Sequence, residues 1–301
     1  MTALRYLHLD VFPASPGGGN HLGVVIGAEA WGGAAMQRFA RWTNLVETTF
    51  LVPARAVEAS YGVRIFTPDR EIPFAGHPSI GSAHAALDCG LAQAHGGLLR
   101  QECAAGVVPI RVEGNGATRE LLLRSPDAHV LATGLDAHAL LRAALVGIGL
   151  GELPPSLVDG GRRWWVAEVA DEACLRDWQP DHAAIGALAR ASSSMGLCAF
   201  ARGKDCLKGD REHGDYQVVV RAFPAGVGIV EDPASGAANG LVATWLAHAE
   251  PGGMLAHGYT VSQGREIGHD ARLTVRIEAD AIWVGGRCRT VIDGSLDWSP
   301  A

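Results

Sequence analysis

The sequence predicts an α+β protein built as two similarly constructed halves, and three observations carry this. The segment 231-EDPASGAANGLVATWLAHA-249 runs in step with 76-GHPSIGSAHAALDCGLA-92. Setting His77 over Asp232 places Pro78 on Pro233, Gly81 on Gly236 and Ala83 on Ala238, and each copy then enters an alanine-rich run of helical character. Just upstream of each copy, 63-VRIFTP-68 matches 220-VRAFPA-225 once a two-residue difference in the intervening gap is allowed. The chain has 301 residues, of which 48% are apolar and 19% charged, a length and composition that suit two domains of about 150 residues with a substantial core.

In chain order, 5-RYLHLDVF-12 alternates as a strand does, a Gly-rich turn 17-GGGN-20 follows, and 22-LGVVIG-27 is a second strand. Met36, Phe39 and Ala40 fall at helical spacing and predict a helix over 33–42. The β-branched and aromatic runs 48-TTFLVP-53 and 61-YGVRIFTP-68 predict strands, as do 107-VVPIRV-112 and 119-RELLLR-124 after the helix that follows Gly76. In the second half, helices are predicted over 136–146 and 181–191, and strands over 163–169 and 216–223. The helix after Asp232 comes next, then strands over 259–264, 273–278 and 281–286. The domain division places an N-terminal half at 1–128 and a C-terminal half at 129–301. The final strands could pack with either half, and the pattern leaves that open.

The twinned segments each carry an ionisable residue ahead of an apolar run. Asp232 is a good helix N-cap with Pro233 as the first helical residue, so a purely structural cap explains it. His77 holds the matching place without being a favoured cap. Gly81 and Gly236 fall in the expected first turns, where glycine costs about 1 kcal/mol relative to alanine. Close approach of a ligand or backbone would offset that cost, and so would tight helix packing. A helix N-terminus offers unpaired N–H groups and a partial positive charge, which attract carboxylates. Two such ends meeting at a cleft would bind a small anionic substrate. The same field should keep His77 neutral and favour Asp232 as a carboxylate. Glu47, in 44-NLVETTF-50, is the third candidate: a carboxyl half-buried between a helix and an apolar strand could move protons, the alternative being an exposed strand-edge Glu.

Composition narrows the partners. The net charge is −7 with no Lys/Arg block, which argues against nucleic acid. The six cysteines, Cys89, Cys103, Cys174, Cys198, Cys206 and Cys288, form no C-x-x-C pair and no zinc-spaced cluster with histidine, so neither a metal nor a disulfide framework is expected. The opening MTALRYLHLDVF lacks the pattern of a signal peptide, and the longest uncharged apolar stretch, 143-AALVGIGLG-151, is far short of a membrane span. A reducing cytoplasm is the expected compartment.

Taken jointly, NLVETTF at 44–50, 66-FTPDREIPFAGHPSIGSA-83 and 231-EDPASGAANG-240 closely resemble the phenazine-biosynthesis PhzF-like family. The opening LDVF at 9–12 and Gly19–Asn20 before 23-GVVIG-27 fit as well. The resemblance implies the diaminopimelate-epimerase-like fold: two pseudo-symmetric halves, each a barrel-like, mostly antiparallel sheet around a central helix, with the active site between them. It implies that Glu47, His77 and Asp232 are the catalytic residues. Backbone amides around Gly76–His77 and Gly236–Ala237, with Ser235, would hold the substrate carboxylate. It also implies a homodimer and no cofactor. Two positions depart from the family pattern. His21 stands where a proline is common, and Ala237 where a serine is common, which bears on the substrate more than on the chemistry.

The activity implied is that of an isomerase moving a proton, and with it a double bond, within a small unsaturated cyclic carboxylic acid; the family's type reaction converts a dihydro-hydroxyanthranilate to a keto tautomer. Related racemases place two cysteines at these helix starts, and this chain has none there, which argues against two-thiol racemisation. The alternatives are a non-catalytic small-molecule binder on the same scaffold and a thiol-independent epimerase. Other features read as structural: His213 and Asp215 in 211-REHGDY-216 as a solvated loop, Trp164, Trp165 and Trp283 as core residues, and 226-GVGIVE-231 as an incomplete phosphate fingerprint.

Overall fold

A computed structural model describes residues 4–203, 216–278 and 281–298. His213, Asp215 and Cys206 lie outside the described residues. The chain divides into two compact units, Met1–Arg124 with Gly285–Ala301, and Ser125–Val284.

The first unit opens with β1 (Leu4–Val11) and β2 (Asn20–Ile26), which pair antiparallel with Val11 opposite Asn20. Helix α1 (Gly33–Thr43) follows, then β3 (Thr48–Val52), β4 (Tyr61–Phe66) and the two-residue β5 (Glu71–Ile72). Helix α2 (Gly76–Asp88) leads into β6 (Leu98–Cys103), β7 (Gly106–Glu113) and β8 (Glu120–Arg124). The pairs β2–β3 and β4–β6 are parallel; β1–β2, β3–β4, β4–β5, β6–β7 and β7–β8 are antiparallel. The chain's last strand, Cys288–Leu296, pairs antiparallel with β1.

These strands wrap α2, which touches β1, β2, β3, β4, β6, β8 and the last strand. Every residue from His77 to Ala86 is buried, as expected of a helix with no polar face. Its small residues are what let the strands close in: a Cβ on Gly81 would lie 2.5 Å from Leu22 Cδ2 and 3.1 Å from Val11 Cγ2. Polar groups inside the wrap are paired to one another. Gln101 accepts from Tyr61 Oη at 3.0 Å and donates to Ser79 Oγ at 2.8 Å, and Ser79 Oγ donates to Ala75 O at 2.8 Å. Helix α1 instead covers the outside, where Trp31, Phe39, Phe50 and Phe66 form an aromatic cluster.

In the second unit, β9 (His129–Thr133), β10 (Ser156–Asp159), β11 (Arg163–Glu168), β12 (Leu197–Arg202), β13 (Val218–Phe223), β14 (Gly258–Gln263) and β15 (Ala271–Glu278) pair in that order; β11–β12 and β13–β14 are parallel and the rest antiparallel. The strand β16 (Ala281–Gly286) follows, so the last strand of the chain is β17. Helices α3 (Leu141–Ala144), α4 (Glu172–Asp177) and α5 (His182–Ala191) precede α6 (Gly236–Ala249). Helix α6 packs on β10, β11, β12 and β15, while α3, α4 and α5 enclose a second core with Trp165, Trp178 and Phe223. Trp164, Trp165 and Trp283 are all buried.

The helix predicted over 136–146 is not continuous. It breaks into a 3-10 turn at Leu135–Ala137 and the short α3, because His138 Nδ1 accepts the Leu140 N–H that a helix would have used.

Candidate active site

In the first unit the site grows from three chain reversals. Asn44 adopts a left-handed conformation (φ 53°) and ends α1 by donating its N–H to Ala40 O. The chain then turns so that Glu47 immediately precedes β3. Asp10, buried on β1, accepts from Gly17 N at 2.7 Å and Gly19 N at 2.8 Å, pinning the Gly-rich turn that delivers Asn20 to the head of β2. Gly19 is required there, since a Cβ would collide with the Val11 carbonyl oxygen. Ala75 caps α2, placing His77 in its first turn.

These reversals bring Glu47 and His77 together. Glu47 Oε2 lies 3.5 Å from His77 Nε2, with their side chains 14% and 9% exposed. On the other edge of the ring, Asn20 Nδ2 lies 3.3 Å from Nδ1. Burial depresses the His77 pKa to about 3, the positive charge of His21 adds to this, and a hydrogen bond with the His21 backbone partly opposes it. The imidazole is therefore neutral at ordinary pH, as the sequence led us to expect, but the chief cause is desolvation rather than the helix field. His21 itself is exposed, its ring 5.9 Å from that of His8. The His8 ring contacts Tyr6 Oη at 3.4 Å, and its pKa is lowered chiefly by burial.

In the second unit the structure corrects the expected helix start. Asp232 does not cap α6, and Pro233 is not its first residue. The cap is Ser235, whose hydroxyl accepts from Ala238 N at 3.4 Å, and the helix begins at Gly236. Asp232 lies three residues before the cap, in a turn where its Oδ1 accepts from Ala234 N at 3.1 Å. The pattern D-P-A-S contains two competent caps, and the local Asx turn takes the first. The matched residues thus differ locally: His77 is helical and Asp232 is not.

Asp232 also differs from expectation in its ionisation. Burial raises its pKa, outweighing the hydrogen bonds from Ala234 and Ser235 and the pull of His269. The expectation that the helix end favours its carboxylate form gives way to desolvation. Burial likewise pushes the Cys198 thiol up, with the Asp232 charge adding to the effect, so that this cysteine stays protonated.

The turn is held by residues that the sequence reading did not single out. Gln263, buried at the end of β14, donates to Asp232 O at 2.7 Å and accepts from Ser235 N at 3.3 Å and from Asn239 Nδ2 at 2.9 Å. Asn239 also donates to Ser235 O at 2.8 Å. Arg221 clasps Glu231 through two bonds of 2.9 Å, and its Nη1 donates to Leu175 O and Trp178 O. A polar residue at an inward strand position was the available signal for Gln263. Gly236 has nothing within 4 Å of where a Cβ would sit, and Ala237 is exposed. Among the described residues, no group of three His, Cys, Asp or Glu side chains could hold a metal ion, and no helix is long and apolar enough to cross a membrane.

Comparison with known proteins identifies the family. The family described as phenazine biosynthesis-like protein (PhzC-PhzF) matches residues 9–294. The trans-2,3-dihydro-3-hydroxyanthranilate isomerase of Pseudomonas chlororaphis is 32% identical over 280 residues, covering 92% of this chain and 91% of that protein. Antisense-enhancing sequence 1 of Schizosaccharomyces pombe is 29% identical over 305 residues, covering 98% and 99%. The crystal structure of a PhzF-family phenazine biosynthesis protein from Bacillus anthracis superposes with a TM-score of 0.82 at 23% identity, covering 99% of this chain and all of that one. With a family match spanning nearly its whole length and the fold shared, the chain belongs to the phenazine biosynthesis-like PhzC-PhzF family.

Proposed function

We propose that the protein is an isomerase that shifts a proton, and with it a double bond, within a small unsaturated cyclic carboxylic acid. The observation that carries this is the approach of Glu47 Oε2 to within 3.5 Å of a buried, neutral His77. A neutral imidazole does not neutralise the carboxylate beside it, which suits a group that must take a proton from carbon. Glu47 breaks one C–H bond, leaving the electron pair delocalised into the ring, and returns the proton to a second carbon. The reaction is redox-neutral, so the chemistry calls for no electron carrier.

Asp232 is the third catalytic residue in this proposal. Its raised pKa suits a group that holds a proton for a ring hydroxyl or amino substituent. Gly76, Gly236 and Ala237 would offer backbone N–H groups to the substrate carboxylate, with Ser235 ordering the turn. The related isomerase supports this substrate class, and the similar order of strands and an enclosed helix in each unit supports a pseudo-symmetric origin. The family resemblance supports a homodimer.

The test is incubation with trans-2,3-dihydro-3-hydroxyanthranilate in deuterated water, followed by mass spectrometry. We expect label to enter a carbon position as the double bond moves. Glu47→Gln should lower that rate at least about 10²–10⁴-fold without changing the melting temperature. Full activity in Glu47→Gln would overturn the assignment. A second reading, a small-molecule binder without turnover, is supported by the full-length similarity to antisense-enhancing sequence 1, whose name carries no isomerase activity. Binding of the acid without label exchange would favour it.

A further inference from the structure

We infer that His269 is a positioning residue for Asp232: it sits on a turn packed against the Asp232–Ser235 segment, and the charge of its ring sets how firmly that carboxyl holds a proton. The inference deepens the acid role proposed for Asp232 and rests on it for its catalytic meaning, though not for its geometry.

Left-handed glycines shape the turn. Gly264 (φ 92°) follows β14, Gly268 (φ 82°) ends the 3-10 turn Arg265–Ile267, and the His269 N–H then donates to Gly264 O at 2.9 Å. Gly264 is also where the two segments touch. A Cβ there would lie 2.6 Å from Pro233 O, 3.2 Å from Pro233 Cα and 3.0 Å from His269 Cβ. His269 and the residue after Asp232 thus border the same point. Gln263, just before the turn, fastens the contact by donating to Asp232 O and accepting from Ser235 N. With β15 starting at Ala271, the turn is anchored by a strand at each end.

Charge decides what this proximity does. Burial raises the Asp232 pKa and Glu231 adds to it, while the Ala234 N–H, the Ser235 hydroxyl and His269 pull the other way. The first two of these are hydrogen bonds at any pH, whereas the His269 pull exists only while its ring is protonated. The other charged groups of the two segments are engaged elsewhere. Glu231 is clasped by Arg221 at 2.9 Å, Glu266 accepts from Arg176 at 2.7 Å, and Asp270 lies 2.8 Å from Arg265 and 3.9 Å from Arg272. The Cys198 thiol stays protonated and brings no charge. Protonated His269 therefore favours the Asp232 carboxylate, and the neutral ring lets Asp232 keep its proton, the form needed to donate to a substrate group.

The experiment is a carbon-detected NMR titration of protein labelled with ¹³C-aspartate, without substrate, with the Asp232 carboxyl signal identified by its loss in Asp232→Asn. His269→Gln removes the charge and should raise the Asp232 midpoint by about one pH unit. His269→Lys keeps a positive charge at this position and should hold the midpoint at or below the wild-type value. An unchanged midpoint in His269→Gln, or a midpoint in His269→Lys raised as far as in His269→Gln, would overturn the inference. Wild type supplies a reading that needs no variant: nuclear Overhauser contacts from the His269 ring protons to Pro233 should be present, and their absence would also overturn it. Because no substrate is present, these results are independent of whether the trial acid is turned over.

Discussion

The carboxamide of Gln263 bridges the turn that carries Asp232, donating to the Asp232 carbonyl at 2.7 Å while accepting from the Ser235 N–H at 3.3 Å. Because Asn239 also donates to the same oxygen at 2.9 Å, one buried side chain satisfies two donors and one acceptor. Replacing Gln263 with Leu should remove the partner of the Asp232 carbonyl and of the Ser235 N–H, at about 1–3 kcal/mol each before relaxation, while Asn239 keeps its bond to Ser235 O. The expected result is a loss of several kcal/mol in urea unfolding. Retention of wild-type stability would mean that the turn is held by other contacts.

The Arg221–Glu231 pair makes a similar point with charge. Their side chains are only 6% and 4% exposed. Glu231→Gln would leave a buried guanidinium without its counter-charge, at a cost of about 3–5 kcal/mol. Chemical denaturation at pH 7 measures this. A loss under about 1 kcal/mol would show that the Leu175 and Trp178 carbonyls suffice.

The depressed pKa of His77 sets a pH dependence of stability. Its folded value of about 3 lies below the ordinary histidine value of 6.5, so between these limits the unfolded chain binds the extra proton. Stability therefore falls as pH drops from about 6.5 toward 3. At pH 5 the share from this residue amounts to about 2 kcal/mol. Asp232, with its pKa raised, works the other way: its contribution is present at low pH and is lost as pH rises through its folded pKa. Comparing wild type with His77→Asn by urea unfolding at pH 7 and pH 5 isolates the histidine. Equal losses in the two proteins would contradict a buried neutral ring.

Glycine positions that match in sequence should respond differently. Gly81→Ala would press a methyl against Leu22 and Val11, and overpacking of about 1–3 kcal/mol should exceed the helix-propensity gain of about 1 kcal/mol. Gly236→Ala meets nothing within 4 Å and should change stability by less than about 0.5 kcal/mol. Differential scanning calorimetry of the two variants checks the contrast, and equal destabilisation would refute it.

Local pattern was sufficient for most of the regular elements. Apolar spacing located α1, alternation located β1, β-branched and aromatic runs located β3 and β4, and the alanine-rich runs located α2 and α6. The joint motifs around Asn20, Glu47, His77 and Asp232 also carried the family, which the match over residues 9–294 shows. Ranges with weak periodicity were not legible: β5, β6, β9, β10, α4, β12 and β17 went unpredicted, and of these β6 and β17 pair with strands distant in sequence.

What only the tertiary structure decided is which of two locally acceptable choices prevails. Asp232 and Ser235 both suit an N-cap, and Ser235 takes the role once Gln263 holds the turn. The destination of the last strand is settled by its ladder with β1, nearly the whole chain away. The ionisation of His77 and Asp232 follows from burial, a property of the assembled core that no nearby residue specifies. Sequence spacing encodes the period of each element, whereas long-range hydrogen bonds and desolvation exist only after those elements have packed.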